Sequence, residues 1–329
     1  MHVQEILFGV IKASAAIVAL GCSIGQAHAD GILTLTHQGI TRKAVIYEPS
    51  AMPAGPAPVV IALHGPSPGA GHGQAIETLR RSLHLDATAD REHFLVVYPE
   101  AIDGDWSYGR PIAKPMPAIN GDPVDDVGFI REIIGNLVAS KRGDPSHIYV
   151  AGVSRGGLMA YTIACALAEQ IAAAATAATS MTQYQREDCH PAKPVPMMVI
   201  AGTNDFVQRY DGWLNPLGRL LSVPETMEYW RLENGCSKQD IKVLPHRENS
   251  DPTRVWLVNW TGCASGTALR FYRVNGGGHR LPSYSPDSEA DINGEAVGNG
   301  AADVKKVGFR NHDIETADEI WSFAKDFSR

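Results

Sequence analysis

Residues 148–161 read Ile-Tyr-Val-Ala-Gly-Val-Ser-Arg-Gly-Gly-Leu-Met-Ala-Tyr, and this stretch decides the fold. Its first part, Ile148–Val153, is a short apolar run, which is typical of a strand buried on both faces. The Ala- and Leu-rich segment Gly156–Glu169 follows and predicts a helix. Ser154 lies between them and between two glycines, so the sequence predicts a sharp strand–turn–helix motif with a serine at the turn.

Similar apolar runs alternate with helical patterns along the rest of the chain. The further predicted strands are Val59–Leu63, Phe94–Tyr98, Pro196–Ala201 and Leu269–Val274. Apolar residues at helical spacing predict helices within Val127–Val138 and Asp313–Phe327. Because strands and helices alternate, we predict an α/β fold with a mostly parallel central sheet and helices on both faces.

The composition narrows the class of protein. The chain has 329 residues, 44% hydrophobic and 20% charged, with a formal net charge of −7. This is globular composition, long enough to bury a sizeable core. No basic run is interleaved with aromatic residues, so neither nucleic acid nor an anionic membrane is an expected partner. We find no linker that would divide residues 30–329, which we expect to form a single domain.

The first 29 residues are typical of a secretory signal peptide. Lys12 precedes a short apolar run, Ala13–Gly21, and Ala27-His28-Ala29 predicts cleavage before Asp30. The run is too short to cross about 30 Å of hydrocarbon, which disfavours a membrane anchor. We therefore expect a secreted or periplasmic protein without a membrane association after cleavage.

Four cysteines would remain after cleavage, an even number that indicates two disulfides in an exported chain. Three pairings are possible, and we prefer the nearest-neighbour pairing of Cys165 with Cys189 and Cys236 with Cys263. The alternative is four buried free thiols. No Cys-x-x-Cys occurs, and the acidic stretches 103–105 and 291–294 lack full calcium-loop spacing, so we expect no metal site.

A second Gly-x-Ser-x-Gly match surrounds Ser67, but it does not suit a nucleophile. The backbone N–H that follows a nucleophilic serine must face the developing oxyanion. Pro68 follows Ser67 and has no N–H, whereas Arg155 follows Ser154 and can donate. Ser154 is therefore the candidate nucleophile, and its alternative interpretation is an ordinary serine in a strand–helix turn.

Candidate partners for Ser154 follow two later strands. Asp205 comes after Met197–Ile200, and His279 comes after three glycines that follow Phe271–Val274. A serine needs a histidine to take its proton, and the histidine needs a carboxylate to orient it. Serine, acid, histidine is the chain order of an α/β-hydrolase sheet. Alone, Asp205 reads as a turn residue and His279 as a solvated loop residue; Asp211 is the alternative acid.

The oxyanion hole of such a site needs a second donor besides the Arg155 N–H. The loop after Val59–Leu63 should supply it, but Pro66 has no N–H. The Gly65 N–H, the Ser67 N–H or the Ser67 hydroxyl must then substitute, or the hole has one backbone donor fewer. We expect His64 to pack within the loop.

Several motifs together are similar to one known family. They are Leu63-His64-Gly65, Asp125–Ile130, Gly152–Met159, Gly202–Asp205, Asn234-Gly235-Cys236, Gly276–His279 and Asp313–Phe323. From about Thr41 to its end, the chain resembles the secreted polyhydroxybutyrate-depolymerase-like and feruloyl-esterase-like α/β hydrolases. The resemblance implies Ser154 as nucleophile, Asp205 as acid and His279 as base, as well as the two preferred cysteine pairs.

The resemblance also implies the start of a helix at Asp125-Asp126, where we interpret Asp126 as structural. Two departures from the family pattern stand out. Pro66 occupies an expected oxyanion position, and Arg280-Leu281-Pro282 stands where a Trp-Pro commonly follows the histidine. If that Trp stacks on substrate, the departure bears on specificity for aromatic esters.

These features predict a secreted serine esterase that needs no cofactor. The predicted substrates are small or oligomeric carboxylic esters, either hydroxyalkanoate oligomers of the polyhydroxybutyrate type or feruloyl and acetyl esters of sugars. One alternative is a serine peptidase of the same fold, since the same triad cleaves amides. The other is an inactive binding protein, because Pro66 has no N–H to donate at the expected oxyanion position. Trp106, Trp213 and Tyr210 lie near the predicted site loops, where we expect packing rather than substrate contact.

Overall fold

The computed structural model has a ten-stranded sheet at its centre. It describes residues 30–66, 73–108, 118–119, 122–215, 218–285 and 307–329. The predicted leader, residues 1–29, lies outside the described residues, as do Ser67 and the acidic stretch 291–294.

The described strands are β1 (Gly31–His37), β2 (Ile40–Tyr47), β3 (Ala57–Leu63), β4 (Leu95–Pro99), β5 (Ala118–Ile119), β6 (Asp122–Pro123), β7 (Gly143–Val153), β8 (Ala173–Ala177), β9 (Met197–Gly202), β10 (Trp213–Asn215), β11 (Gly218–Leu220), β12 (Lys238–Val243), β13 (Arg254–Thr261) and β14 (Leu269–Asn275). The α-helices are α1 (Gln74–Leu83), α2 (Leu85–Glu92), α3 (Asp126–Ala139), α4 (Arg155–Ala166), α5 (Gln183–Asp188), α6 (Val223–Glu233) and α7 (Thr316–Ala324).

Six parallel strands form the centre of the sheet, in the order β4-β3-β7-β8-β9-β14. Two antiparallel strands extend it on each side, β2 and β1 beyond β4 and β13 and β12 beyond β14. The predicted α/β class with a mostly parallel sheet is confirmed. All five predicted strands lie in the parallel centre, because only strands covered on both faces are apolar without interruption.

Helices cover both faces of this sheet. Alternate residues of β3 show the division: Val59, Ile61 and Leu63 share one hydrophobic cluster with α3, α4 and α6. Val60 and Ala62 share the other cluster with α1, α2 and α7. Since successive side chains of a strand point to opposite faces, burying both faces requires a continuous apolar run.

Two predicted helices are shorter than their patterns indicate. The helix predicted over Gly156–Glu169 is α4, which ends at Ala166. The helix predicted within Asp313–Phe327 is α7, which begins at Thr316; ahead of it, the Asp313 carboxylate accepts hydrogen bonds from His246 and the Arg247 N–H. Such long-range partners are not visible in a local helical pattern.

The structure joins the cysteines in the preferred pairing. Cys165 at the end of α4 is bonded to Cys189 after α5, with 5.3 Å between their Cα atoms. Cys236 is bonded to Cys263, which follows β13. Among the described residues, no helix is long and apolar enough to span a membrane.

A buried ion pair holds α3 against the sheet. Arg42 of β2 forms an ion pair with Asp126, with 2.7 Å between Nη2 and Oδ1, and their side chains are 2% and 0% exposed. Asp126 also accepts from the Ser107 N–H at 2.7 Å. Burial lowers the pKa of the Arg42 guanidinium and raises the pKa of the Asp126 carboxyl. This contact network gives Asp126 the structural role that the sequence predicts.

We expect Arg42→Met and Asp126→Asn each to lower the free energy of unfolding by about 3 to 5 kcal/mol, because each leaves one buried charge uncompensated. The double variant should lose less than the sum of the two. Urea unfolding measures both quantities. Arg142→Met is the control, because its exposed pair with Glu48 should contribute under about 1 kcal/mol. Additive losses would contradict the pairing.

A second polar cluster gives a pH-dependent contribution to stability. Although burial acts to raise it, hydrogen bonds from His312 and Thr253 lower the pKa of Asp251 to about 2. A lowered folded-state pKa contributes stability that is present above the unfolded pKa of about 4 and is lost as pH falls toward 2. We expect wild type to lose more stability than Asp251→Asn between pH 5 and pH 2.5 in urea titrations; equal losses would contradict this assignment.

Candidate active site

Ser154 lies on the turn from β7 to α4, near the middle of the parallel strands. Its φ of 55° and ψ of −120° are unusual for a residue with a side chain and store strain. The turn closes because Gly156 has no side chain: a Cβ there would lie 2.1 Å from the Leu63 carbonyl oxygen. The Ser154 N–H donates to the Ala177 carbonyl at 2.9 Å. The geometry is that of the predicted sharp turn.

His279 approaches Ser154 from the loop after β14. Its Nε2 lies 3.1 Å from the Ser154 Oγ, within hydrogen-bonding distance. The loop is held by backbone hydrogen bonds from Gly278 to the Phe309 carbonyl and from His279 to the Val307 carbonyl. The backbone at Gly278 lies so close to Val307 that only glycine fits, since a Cβ would lie 2.0 Å from the Val307 carbonyl oxygen.

Asp205 lies in the loop after β9 and faces the other side of the imidazole. Its Oδ2 lies 2.7 Å from His279 Nδ1, while its Oδ1 accepts from the N–H groups of Val207 and Gln208. These two backbone donors orient the carboxylate toward the ring. Asp211, the alternative acid, has an exposed side chain, and the Nδ1 position is taken by Asp205.

The three side chains are shielded from solvent. Ser154 is 3% exposed, Asp205 5% and His279 1%. In such a low-dielectric setting, the hydrogen bonds along the line from carboxylate to imidazole to hydroxyl are stronger than in water. The arrangement can transfer the hydroxyl proton to Nε2, because Asp205 can hold the proton of the ring on Nδ1.

Two of the three predicted oxyanion-hole residues, Arg155 and Gly65, lie among the described residues. Arg155 begins α4, where the first N–H groups of a helix have no acceptor within the helix. Gly65 follows β3, whose end lies against the turn at Gly156. Ser67 lies outside the described residues, so the substitute for the missing Pro66 N–H stays a prediction.

His64 packs in the loop after β3, as the sequence predicts. Its Nδ1 lies 2.6 Å from the Gly65 carbonyl, and its Nε2 accepts from the Ala101 N–H at 3.2 Å. Burial lowers the pKa of its imidazole. A neutral, hydrogen-bonded ring of this kind supports the loop and is not available as a second base.

The aromatic residues predicted near the site have packing contacts. Trp106 is fully buried and donates through Nε1 to the His64 carbonyl at 2.9 Å. Arg209 lies over Trp213, and Arg273 lies over Tyr210. No group of three or more His, Cys, Asp or Glu side chains within the described ranges could hold a metal ion.

One contact near the site has no signal in the local sequence. The Arg155 guanidinium donates to Asp105 at 2.5 Å, across a separation of 50 residues. Asp105 lies in the acidic stretch 103–105, which lacks full calcium-loop spacing, and its carboxylate binds an arginine. A pairing between distant loops depends on the strand order, which a single sequence does not state.

Comparison with known proteins agrees with this geometry. No family model matches the chain. It is 28% identical over 277 residues to NocK of Nocardia uniformis subsp. tsuyamanensis, whose name gives it as a candidate esterase; the match covers 77% of this chain and 75% of NocK. It is 30% identical over 162 residues to feruloyl esterase B of Piromyces equi, covering 47% of this chain and 29% of that protein.

Among solved structures, a thermostable esterase matches with a TM-score of 0.53 at 14% identity, covering 91% of this chain and 63% of the other. This similarity concerns the fold. The chain therefore has the α/β-hydrolase fold. The proteins with similar sequences are named as esterases, which confirms the predicted resemblance to esterase-like α/β hydrolases.

Proposed function

We propose that this protein is a serine esterase that hydrolyses carboxylic esters through Ser154, His279 and Asp205. The observation that carries the proposal is the continuous line of short contacts from Asp205 Oδ2 through the imidazole to Ser154 Oγ. The esterase names of the sequence relatives support the choice of an ester over other acyl compounds.

The reaction follows from these contacts. As Ser154 Oγ attacks the ester carbonyl carbon, His279 Nε2 takes the hydroxyl proton and Asp205 stabilises the imidazolium. The carbonyl oxygen gains negative charge, which the Arg155 N–H and a donor near Gly65 would stabilise. His279 then gives its proton to the departing alcohol. A water molecule, activated by the same imidazole, cleaves the acyl-enzyme and restores the free serine.

Two exposed apolar side chains directly follow the proposed acid in the sequence. Phe206 and Val207, which directly follow Asp205, are 56% and 38% exposed. Exposed apolar groups beside a catalytic edge are suited to bind an aryl or alkyl group. We therefore propose hydroxyalkanoyl or feruloyl esters as substrates ahead of acetyl esters of sugars.

The predicted leader and the two disulfides together support export, and we propose that the mature protein begins at Asp30 in the periplasm or outside the cell. Mass spectrometry of the protein purified from an exporting host would show the new N-terminus. An intact N-terminal segment in the exported protein would contradict cleavage after Ala29.

The test of the esterase function is covalent labelling with a fluorophosphonate, together with turnover of p-nitrophenyl esters and peptide anilides. We expect labelling of wild type that is lost in Ser154→Ala, and turnover of esters well above that of anilides. Ser140→Ala, at an exposed position after α3, is the labelling control. Labelling that persists in Ser154→Ala, or faster cleavage of anilides, would contradict the proposal.

A further inference from the structure

The segment after β4, residues 101–108, connects the two backbone stretches that flank the proposed oxyanion hole. We call it the Trp106 segment. On one side it holds the loop after β3: the Ala101 N–H donates to His64 Nε2, and Trp106 Nε1 donates to the His64 carbonyl. The two rings lie 4.9 Å apart, and both side chains are buried. The position of Gly65 therefore depends on this segment.

On its other side, the Trp106 segment contacts the residue that follows the nucleophile. Asp105 Oδ2 accepts from Arg155 Nη1 at 2.5 Å, and Asp105 Oδ1 accepts from the Trp106 N–H at 3.0 Å. The Asp105 side chain is 16% exposed and the Arg155 side chain 29%, so the ion pair is partly desolvated. A charge-assisted hydrogen bond of this kind is stronger and shorter than a neutral one.

One carboxylate thus connects Arg155, a proposed donor, to the segment that supports the other donor loop. The strained backbone of Ser154 adds a reason for such a contact, since the turn needs support from outside itself. An oxyanion hole acts through donors fixed before the reaction, and a displacement of about 1 Å can cost about 100-fold in rate.

We propose that Asp105 is a positioning residue: through its ion pair with Arg155 it holds the backbone donors of the oxyanion hole in place. The inference rests on the proposed esterase function and extends it to a residue outside the triad. It predicts an effect on the transition state with little effect on substrate binding.

The experiment is steady-state kinetics on a p-nitrophenyl ester. Asp105→Asn keeps an acceptor for the Trp106 N–H but removes the charge, and we expect kcat to fall about 10- to 100-fold with KM within about threefold. Fluorophosphonate labelling should slow in parallel. Glu48→Gln makes the matched change in the more exposed ion pair of Glu48 with Arg142 and should leave kcat unchanged.

Arg155 provides a second route to the same conclusion if Asp105→Asn does not fold. Arg155→Met should lower kcat as Asp105→Asn does, whereas Arg155→Lys, which can still donate to the carboxylate, should recover most of it. The double variant Asp105→Asn/Arg155→Met should be no slower than its slower parent, because the two side chains act as one unit.

The inference is overturned if Asp105→Asn behaves like Glu48→Gln, if KM rises while kcat stays constant, or if the losses in the double variant multiply. A wild-type protein that neither cleaves esters nor takes the fluorophosphonate label contradicts the proposed function itself. An active wild type with an unaffected Asp105→Asn variant contradicts only the positioning role.

Discussion

We expect Ser154→Ala and His279→Ala each to lower kcat about 10⁶-fold, and the double variant to be no slower than either single variant. The reason is that the Oγ and Nε2 atoms, 3.1 Å apart, act in the same step: without the imidazole the hydroxyl is not activated, and without the hydroxyl the imidazole has nothing to deprotonate. The measurement is steady-state hydrolysis of a p-nitrophenyl ester, with circular dichroism to verify folding.

The residual activity of either single variant should not change when the other substitution is added. If the two losses multiply, or if either variant keeps more than about 1% of wild-type kcat, Ser154 and His279 do not form one nucleophile–base unit. A contaminating host esterase is excluded when the residual rate is unchanged after treatment with the fluorophosphonate.

Asp205→Asn should lower kcat about 10⁴-fold with the fold intact, because an amide nitrogen facing His279 Nδ1 cannot accept its proton and favours the wrong tautomer of the ring. The amide oxygen can still accept from the Val207 and Gln208 N–H groups, so the loop should keep its shape. Asp211→Asn is the matched control, with the same substitution on the same loop at an exposed carboxylate.

This pair of variants decides between the two acids that the sequence offers. We expect Asp211→Asn to stay within about twofold of wild-type kcat. A large loss there, combined with a small loss in Asp205→Asn, would show that the alternative acid operates in solution and that the 2.7 Å contact of Asp205 is not used.

Five of the six strands in the parallel centre were predictable, because they are covered by helices on both faces and are apolar throughout. The sixth, β8, and the outer strands were not. In β1 half-buried and exposed positions alternate up to His37, and all six residues of β12 are exposed. β8 consists of four alanines and a threonine, a composition equally compatible with a helix. For these elements the pairing partner, and not the local composition, selects the strand.

The candidate site was predictable to the same extent and for a related reason. The three chemistry-bearing residues each follow a predicted parallel strand, and the carboxyl ends of parallel strands meet at one edge of the sheet. The structure brings Ser154, Asp205 and His279 together there. The choice between Asp205 and Asp211 required coordinates, because six residues of loop can turn either carboxylate toward the ring.

By itself the sequence determined the strand–turn–helix motif around Ser154, the order of the three site residues and the class of fold, since each depends on neighbours in the chain. Only the tertiary structure decided the partners of buried and half-buried charges, namely Arg42 with Asp126 and Arg155 with Asp105. These contacts join segments 84 and 50 positions apart, and such distances close only when the order of strands in the sheet is known. A buried charge needs a partner, but the chain does not state which one.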